Sequence, residues 1–398
     1  MRDSADPLGS AAQTGPLGSC QWRSGAELPT PSVSPNPRRA ANRRGKRDSC
    51  IHTAFGSTIV AILGAGSEAD GFDAMKDQWV IVVQGAASSD ELPGIAGVAA
   101  EASLRFAPGV DALRELLPEA DVLFGWDFQA ESLSATWSEA KQLRWVHWSG
   151  AGVDAVLFPA LVESEVVLTN SRGVFDRAMA EYVLGLVIGF AKRFPESFAL
   201  QSQRTWQHRL TETVEGRDAL VVGVGGIGRA IAQLLRGVGM RVTGVGRSAR
   251  ADNRDFGTVF DPSDLNRLLP RADYVVIAAP LTDETRRMFG TAQLRAMKPT
   301  AYLINIARGA IVDEAALVAA LEAGEIAGAA LDCFETEPLP PESPLWSLPG
   351  VVVSPHLSGD FTGHADALVD LFCENFRRFR SGTPLLNIVD KMRGYVPG

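Results

Sequence analysis

The segment Asp218-Ala-Leu-Val-Val-Gly-Val-Gly-Gly-Ile-Gly-Arg-Ala-Ile-Ala-Gln-Leu-Leu235 constrains this chain more than any other. The apolar run Ala219 to Val222 reads as a buried strand. Gly223, Gly225 and Gly228 follow in G-x-G-x-x-G spacing, and Ile227, Ile231, Leu234 and Leu235 recur at helical intervals. Strand, tight turn and helix in that order is the context a dinucleotide-binding fingerprint needs. Gly223 permits the turn, Gly225 lets backbone approach a pyrophosphate, and Gly228 lets the helix pack close to the strand. Backbone N–H groups from Val224, Gly226 and Ile227 are then free to hold phosphate at the helix start. The alternative is an ordinary strand-to-helix turn; correct flanks on both sides favour the nucleotide.

The rest of the composition narrows the class. A chain of 398 residues suggests two or three domains. The longest apolar run, Tyr182 to Ala191, is too short to span a bilayer. A net charge of −9 argues against nucleic acid or an anionic membrane as main partner. Cys20, Cys50, Cys333 and Cys373 form no C-x-x-C pair. They give neither a disulfide framework nor a metal site, which points to a reducing cytoplasm.

Residues 1–74 are expected to be a disordered leader outside the folded body. They are rich in Ser, Pro, Gly and Arg, and Pro37 to Arg47 holds six positive charges. A nucleic-acid-binding arm is one reading of that run, a solvated leader the better one. No apolar core follows it, so it is not a secretory signal. The leader carries eight Lys/Arg against seven Asp/Glu, leaving 30 against 40 and a net of −10 in the remainder. Ile59 to Leu63 followed by Gly64-Ala-Gly66 lacks a third glycine and a helix, and is a decoy. Organised sequence begins near Met75, which could be the true start.

From there, strands at Trp79–Val83, Leu104–Ala107, Val122–Phe124, Arg144–Trp148 and Val166–Leu168 alternate with helical stretches at 92–100 and 110–117. A long apolar helix covers about 175–193. After the fingerprint, strands recur at Val242–Val245, Tyr274–Ala278, Tyr302–Ile306, Ala327–Leu331 and Val351–Val353, with a helix at 313–323. The last helix, about 365–380, puts Leu368, Phe372, Phe376 and Phe379 on one stripe, stopped by Gly382. The pattern predicts an α/β chain with two doubly wound parallel sheets.

Open parallel sheets bind ligands beyond the carboxyl ends of their strands. Arg308 follows Tyr302–Ile306; Asp332, Glu335 and Glu337 follow Ala327–Leu331; His356 follows Val351–Val353. Each alone reads as a loop charge or a structural histidine. Together, beside a dinucleotide site, they suit hydride transfer to a 2-oxo acid. Arginine grips a carboxylate bidentately, histidine loses a proton near neutral pH, and a carboxylate favours its charged form.

From Trp79 onward the chain resembles the D-isomer-specific 2-hydroxyacid dehydrogenase family. The matching stretches are Trp148-Ser-Gly-Ala-Gly-Val-Asp154, Asn170-Ser-Arg-Gly-Val-Phe175, Ala180-Glu-Tyr182, Val222 to Arg229, Pro280-Leu-Thr-Asp-Glu-Thr285, Asn305-Ile-Ala-Arg-Gly309, Ala330 to Pro340 and Ser354-Pro-His-Leu-Ser-Gly359. Glu337 to Trp346 and Lys391-Met-Arg-Gly-Tyr395 point to its glyoxylate/hydroxypyruvate reductase branch.

The resemblance implies that Arg308 holds the substrate carboxylate, that His356 exchanges the proton, and that Glu337, not Glu335, pairs with His356. It implies substrate contacts from Ala151 and Gly152, with Trp126 as a cap. It places Pro280, Thr285, Ala307 and Asp332 around the cofactor. It further implies a Rossmann cofactor domain (170–357) inserted into a flavodoxin-like substrate domain (75–169 and 358–398), and a homodimer.

Two expectations remain. The cofactor should be NADP in preference to NAD. The strand Val242–Val245 ends in Gly246-Arg247-Ser248 with no carboxylate, and Arg247 and Ser248, with Arg250 in support, suit a 2′-phosphate. Arg247 as a solvated loop charge, or stacked on adenine, is the competing reading. The functional rival to an enzyme is a dinucleotide-sensing binding protein like the corepressors that share this fold.

Overall fold

The computed structural model describes residues 78–128 and 131–397. The leader, the basic run, the 59–66 decoy, Cys20, Cys50 and Met75 lie outside them.

Two sheets organise the described chain. The first contains β1 (Trp79–Gln84), β2 (Ala102–Ala107), β3 (Val122–Gly125), β4 (Trp145–Trp148) and β5 (Val167–Asn170), in the order β2-β1-β3-β4-β5 and parallel throughout. This is the flavodoxin-like order. Alternate residues bury opposite faces. Val82, Leu123 and Val146 pack with Leu113 and Leu117 on one side. Ile81, Val83, Phe124 and Trp145 pack on the other, against a helix from the far end of the chain, His364–Arg380. Leu368, Phe372, Phe376 and Phe379 are all buried there, and Phe124 and Phe372 stack at 4.2 Å. Gly382, at φ +67°, follows the helix end.

The chain then runs back along β5. Val389 N–H bonds to Leu168 O at 2.8 Å and Asn170 N–H to Asn387 O at 3.3 Å, closing an edge that would otherwise be open. Lys391 Nζ reaches the carbonyls of Leu161, Ser164 and Val166.

The second sheet has eight strands: β6 (Asp218–Val222), β7 (Arg241–Val245), β8 (Arg250–Asn253), β9 (Gly257–Phe260), β10 (Tyr274–Ile277), β11 (Tyr302–Asn305), β12 (Gly328–Leu331) and β13 (Val351–Val353). Their order is β13-β12-β11-β10-β6-β7-β9-β8. The helix Asp176–Ala191 packs here, its Val183, Val187 and Phe190 sharing a core with Ile231 and Leu235 of the helix Gly226–Gly237.

Three expectations are corrected, and one helix is added. The second sheet is not wholly parallel, because β8 pairs antiparallel with β9. Stretch 92–100 is not one helix: after Pro93 and left-handed Gly94, at φ +83°, only a short 3-10 turn forms at Ile95–Val98, and a second such turn, Ser89–Glu91, precedes the stretch. A helix at Phe194–Ser202, with Pro195 in its first turn, was not foreseen. The strand expected at Val166–Leu168 runs instead from Val167 to Asn170.

Candidate active site

The glycines of the fingerprint have distinct jobs. Gly223 sits at φ +108°, and a Cβ there would lie 2.4 Å from the Ala278 carbonyl carbon. A Cβ on Gly228 would lie 1.9 Å from Gly223 O, so helix and strand approach as only glycine allows. Gly225 caps the 226–237 helix with nothing within 4 Å of its missing side chain. That open cradle, facing bare N–H groups at a helix start, fits a pyrophosphate. Val224 lies against Gly244 and Gly246, filling the step from β6 to β7, while Ile227 packs partly buried on the sheet.

Arg247 and Ser248 are exposed beyond β7. The Arg247 guanidinium lies 4.4 Å from the centre of the Tyr395 ring. Thr285 turns inward: its hydroxyl donates to Pro280 O at 2.7 Å and accepts Thr282 N–H at 2.8 Å, so it shapes the loop after β10.

Beyond β11, Asn305 builds the turn that carries Arg308. Its side chain donates to Arg308 O and accepts Ala307 N–H. Arg308 reaches across the cleft to Asp154, in the loop after β4. Nε lies 3.1 and 3.0 Å from the two carboxylate oxygens, and Nη2 lies 3.0 Å from Oδ1. Nη1 donates to Ala307 O at 2.8 Å. Gly152 closes the remaining side, where a Cβ would stand 2.2 Å from Nη2. Ala151 is fixed by Asn170, whose amide donates to its carbonyl at 2.6 Å.

His356 Nδ1 lies 2.8 Å from Glu337 Oε2, and Phe334 N–H bonds to Oε1 at 3.0 Å. Burial works to raise the Glu337 carboxyl. The bonds from His356 and Phe334 and the charges of His356 and Arg308 outweigh it and leave it below the ordinary carboxylate value. Glu335 instead faces Arg287 and the Glu314 backbone.

His356 has φ +53°, a left-handed conformation that non-glycine residues seldom adopt. Asp332, almost fully buried, enforces it. One of its oxygens accepts Ser354 Oγ–H and Leu357 N–H, the other Ser358 N–H. Tyr182 donates in turn to Ser354 Oγ, tying the 176–191 helix to the histidine loop. Asp332 is thus an internal anchor of this loop, with three hydrogen bonds already on its carboxylate.

The structure therefore brings Arg308, Glu337, His356, Ala151 and Gly152 to one cleft. Trp126 packs edge-on against Phe124 at 5.7 Å; the ring beside His356 is Phe128, at 6.0 Å. Sequence reasoning missed Asp154 and Phe128. A carboxylate ending Gly150-Ala-Gly-Val-Asp154 was the available signal for the first.

Comparison with known proteins agrees with this geometry. The profile of the D-isomer specific 2-hydroxyacid dehydrogenase NAD binding domain matches residues 184–358. Glyoxylate reductase of Korarchaeum cryptofilum is 35% identical over 259 residues, covering 63% of this chain and 77% of that protein. The Thermococcus onnurineus glyoxylate reductase is 36% identical over 283 residues, 69% and 80% of the two chains. The NADPH-dependent glyoxylate/hydroxypyruvate reductase of Sinorhizobium meliloti, solved with NADP and sulfate, superposes with a TM-score of 0.71 at 29% identity, covering 80% of this chain and all of that one. The chain belongs to the D-isomer-specific 2-hydroxyacid dehydrogenase family, oxidoreductases that move a hydride between a nicotinamide cofactor and a small 2-oxo or D-2-hydroxy acid, and it groups with the glyoxylate/hydroxypyruvate reductase branch.

Proposed function

We propose that this chain reduces glyoxylate- or hydroxypyruvate-class 2-oxo acids with NADPH, as a cytoplasmic homodimer. The observation that carries the reading is the cleft itself: a carboxylate-buttressed histidine faces an arginine whose orientation a second carboxylate fixes. The Arg308 guanidinium and the N–H groups of Ala151 and Gly152 take the substrate carboxylate. With Glu337 accepting at Nδ1, His356 presents Nε2–H to the carbonyl oxygen, and the proton moves there as charge develops. Arg308 stabilises that developing oxyanion. Nicotinamide, when bound, supplies the hydride to the carbonyl carbon. The charge on Glu337 supports the imidazolium that precedes transfer. The domains are assigned as 75–169 with 358–398 for substrate and 170–357 for cofactor, so closure of the cleft excludes water.

NADPH over NADH is supported by Arg247 and Ser248 at the end of β7; Asp252, the next acid, sits exposed in β8. Dimerisation is supported by Phe194, Phe198, Trp206 and Leu210, large apolar groups left exposed on and after the 194–202 helix. The reducing compartment is supported by Cys333 and Cys373, both free thiols. Among the described residues no helix is long and apolar enough to cross a membrane. A dinucleotide-sensing role is the weaker reading, since the similar proteins above are enzymes.

The test is oxidation of NADPH and NADH against a panel of 2-oxo acids, by wild type, His356→Gln and Arg247→Ala. Wild type should favour NADPH and the small acids. His356→Gln should lose roughly 10²–10⁴-fold in rate with cofactor binding kept, and Arg247→Ala should damage NADPH use selectively. Near-normal turnover by His356→Gln would end the assignment.

A further inference from the structure

We propose that Tyr395, in the C-terminal tail, is a specificity-determining residue: its ring holds Arg247 in the orientation that receives the 2′-phosphate of NADPH. This rests on the cofactor reading above. The two residues come from opposite sides of the cleft, Arg247 from the end of β7 and Tyr395 from the tail that closes the β5 edge. Their separation of 4.4 Å is a face-on cation–π contact.

The ring is well placed to do this because its own segment is tied down. Gly394 N–H bonds to Asp390 O at 2.8 Å, and the Asp390 side chain accepts the N–H groups of Met392 and Arg393. Arg172 Nη1 holds the carbonyls of Val396 and Pro397. The Tyr395 hydroxyl is buried without a hydrogen-bond partner among the described residues, so the ring face is the part that serves Arg247.

Arg247 itself is exposed, and no other contact among the described residues fixes its guanidinium. A ring face beneath the guanidinium carbon attracts the charge without taking the N–H groups as a carboxylate would, so N–H groups remain for another acceptor. Those groups are what a phosphate needs for bidentate contact. The cation–π contact and the phosphate contact are therefore compatible.

The experiment compares wild type with Tyr395→Phe, Tyr395→Leu and Arg247→Ala. Readouts are KM and kcat for NADPH and NADH, and inhibition by adenosine 2′,5′-bisphosphate, which carries the 2′-phosphate but no nicotinamide. Tyr395→Leu should raise the NADPH KM and the bisphosphate inhibition constant about two- to five-fold, the size of one exposed cation–π contact. Its kcat and NADH constants should stay at wild-type values, and Tyr395→Phe should behave as wild type. In an Arg247→Ala background, Tyr395→Leu should add nothing. Equal losses with both cofactors, unchanged bisphosphate inhibition, or failure of Phe to substitute would each overturn the proposal while wild-type preference for NADPH still stood. A wild type that prefers NADH overturns the cofactor reading, and this inference with it.

Discussion

Gly152→Ala should separate catalysis from folding in a single methyl group. The added Cβ would stand 2.2 Å from Arg308 Nη2, 2.9 Å from its Cζ and 2.9 Å from Asp154 Oδ1. Non-bonded heavy atoms settle near ~3.5 Å, so the guanidinium must retreat by about 1.3 Å. What moves is the far end of a flexible side chain, and Gly152 itself lies outside the left-handed φ region, so the fold can absorb the change. A misplacement of about 1 Å at a reacting centre costs on the order of 10²-fold. That predicts a kcat/KM loss near 100-fold, or ~2.7 kcal/mol of transition-state stabilisation, with the melting temperature close to wild type. The assay is steady-state NADPH oxidation with glyoxylate alongside a thermal melt. Gly223→Ala is the contrast: its Cβ would strike backbone at Ala278 from a left-handed φ, so it should lose stability as well. A Gly152→Ala enzyme with near-normal kcat/KM would show that the Arg308 position seen here is not the working one. A large drop in melting temperature would show the loop to be structural.

Three further outcomes follow from buried groups and exposed faces. His147 is wholly buried with Nδ1 on Thr169 Oγ1, and burial pulls its pKa from 6.5 down to about 3. The unfolded chain therefore takes up a proton that the folded one refuses. Stability is complete above pH 6.5 and falls by ~1.4 kcal/mol per unit below it, about 2 kcal/mol by pH 5; urea midpoints from pH 7 to 5 should show this slope, and His147→Phe should flatten it. Asp332→Asn leaves one oxygen for the N–H groups that bend the histidine loop, so turnover should fall by roughly 10-fold or more, the scale of ~1–3 kcal/mol for a disrupted buried bond, with a smaller change in glyoxylate KM. Trp206→Glu should shift the protein towards monomer in sedimentation, and an unchanged sedimentation coefficient would move the dimer contact elsewhere.

The parallel strands were legible because both of their faces are buried. Val122-Leu-Phe124 and Val275-Val-Ile277, both in sheet interiors, therefore stand out as short apolar runs. β8 was not, since Arg250-Ala-Asp-Asn253 is an edge strand made of exposed and half-exposed residues with no apolar period. The 92–100 stretch has the apolar content of a helix, but Pro93 and Gly94 outweigh it locally. In the site, the residue types at strand ends could be read in order along the chain. The Asp154–Arg308 pair could not, because it joins residues 154 positions apart through the docking of two sheets. Nor could the left-handed turn at His356, which depends on a carboxylate 24 positions upstream.

The return of the last helix to the first sheet has a consequence for how the protein is made. Ile81, Val83, Phe124 and Trp145 leave the ribosome well before their cover, Phe372, Phe376 and Phe379, which follows only after the whole second sheet. The inserted sheet at 218–353 draws its strands from one continuous stretch and can complete its core during translation. The first sheet must wait, with one aromatic face bare, until the helix His364–Arg380 has emerged. Its strands and their final helix are contacts of very long sequence separation, the kind that forms slowly. Translation interrupted after Val353 but before the helix that starts at His364 would release a finished second sheet joined to an exposed, adhesive first one.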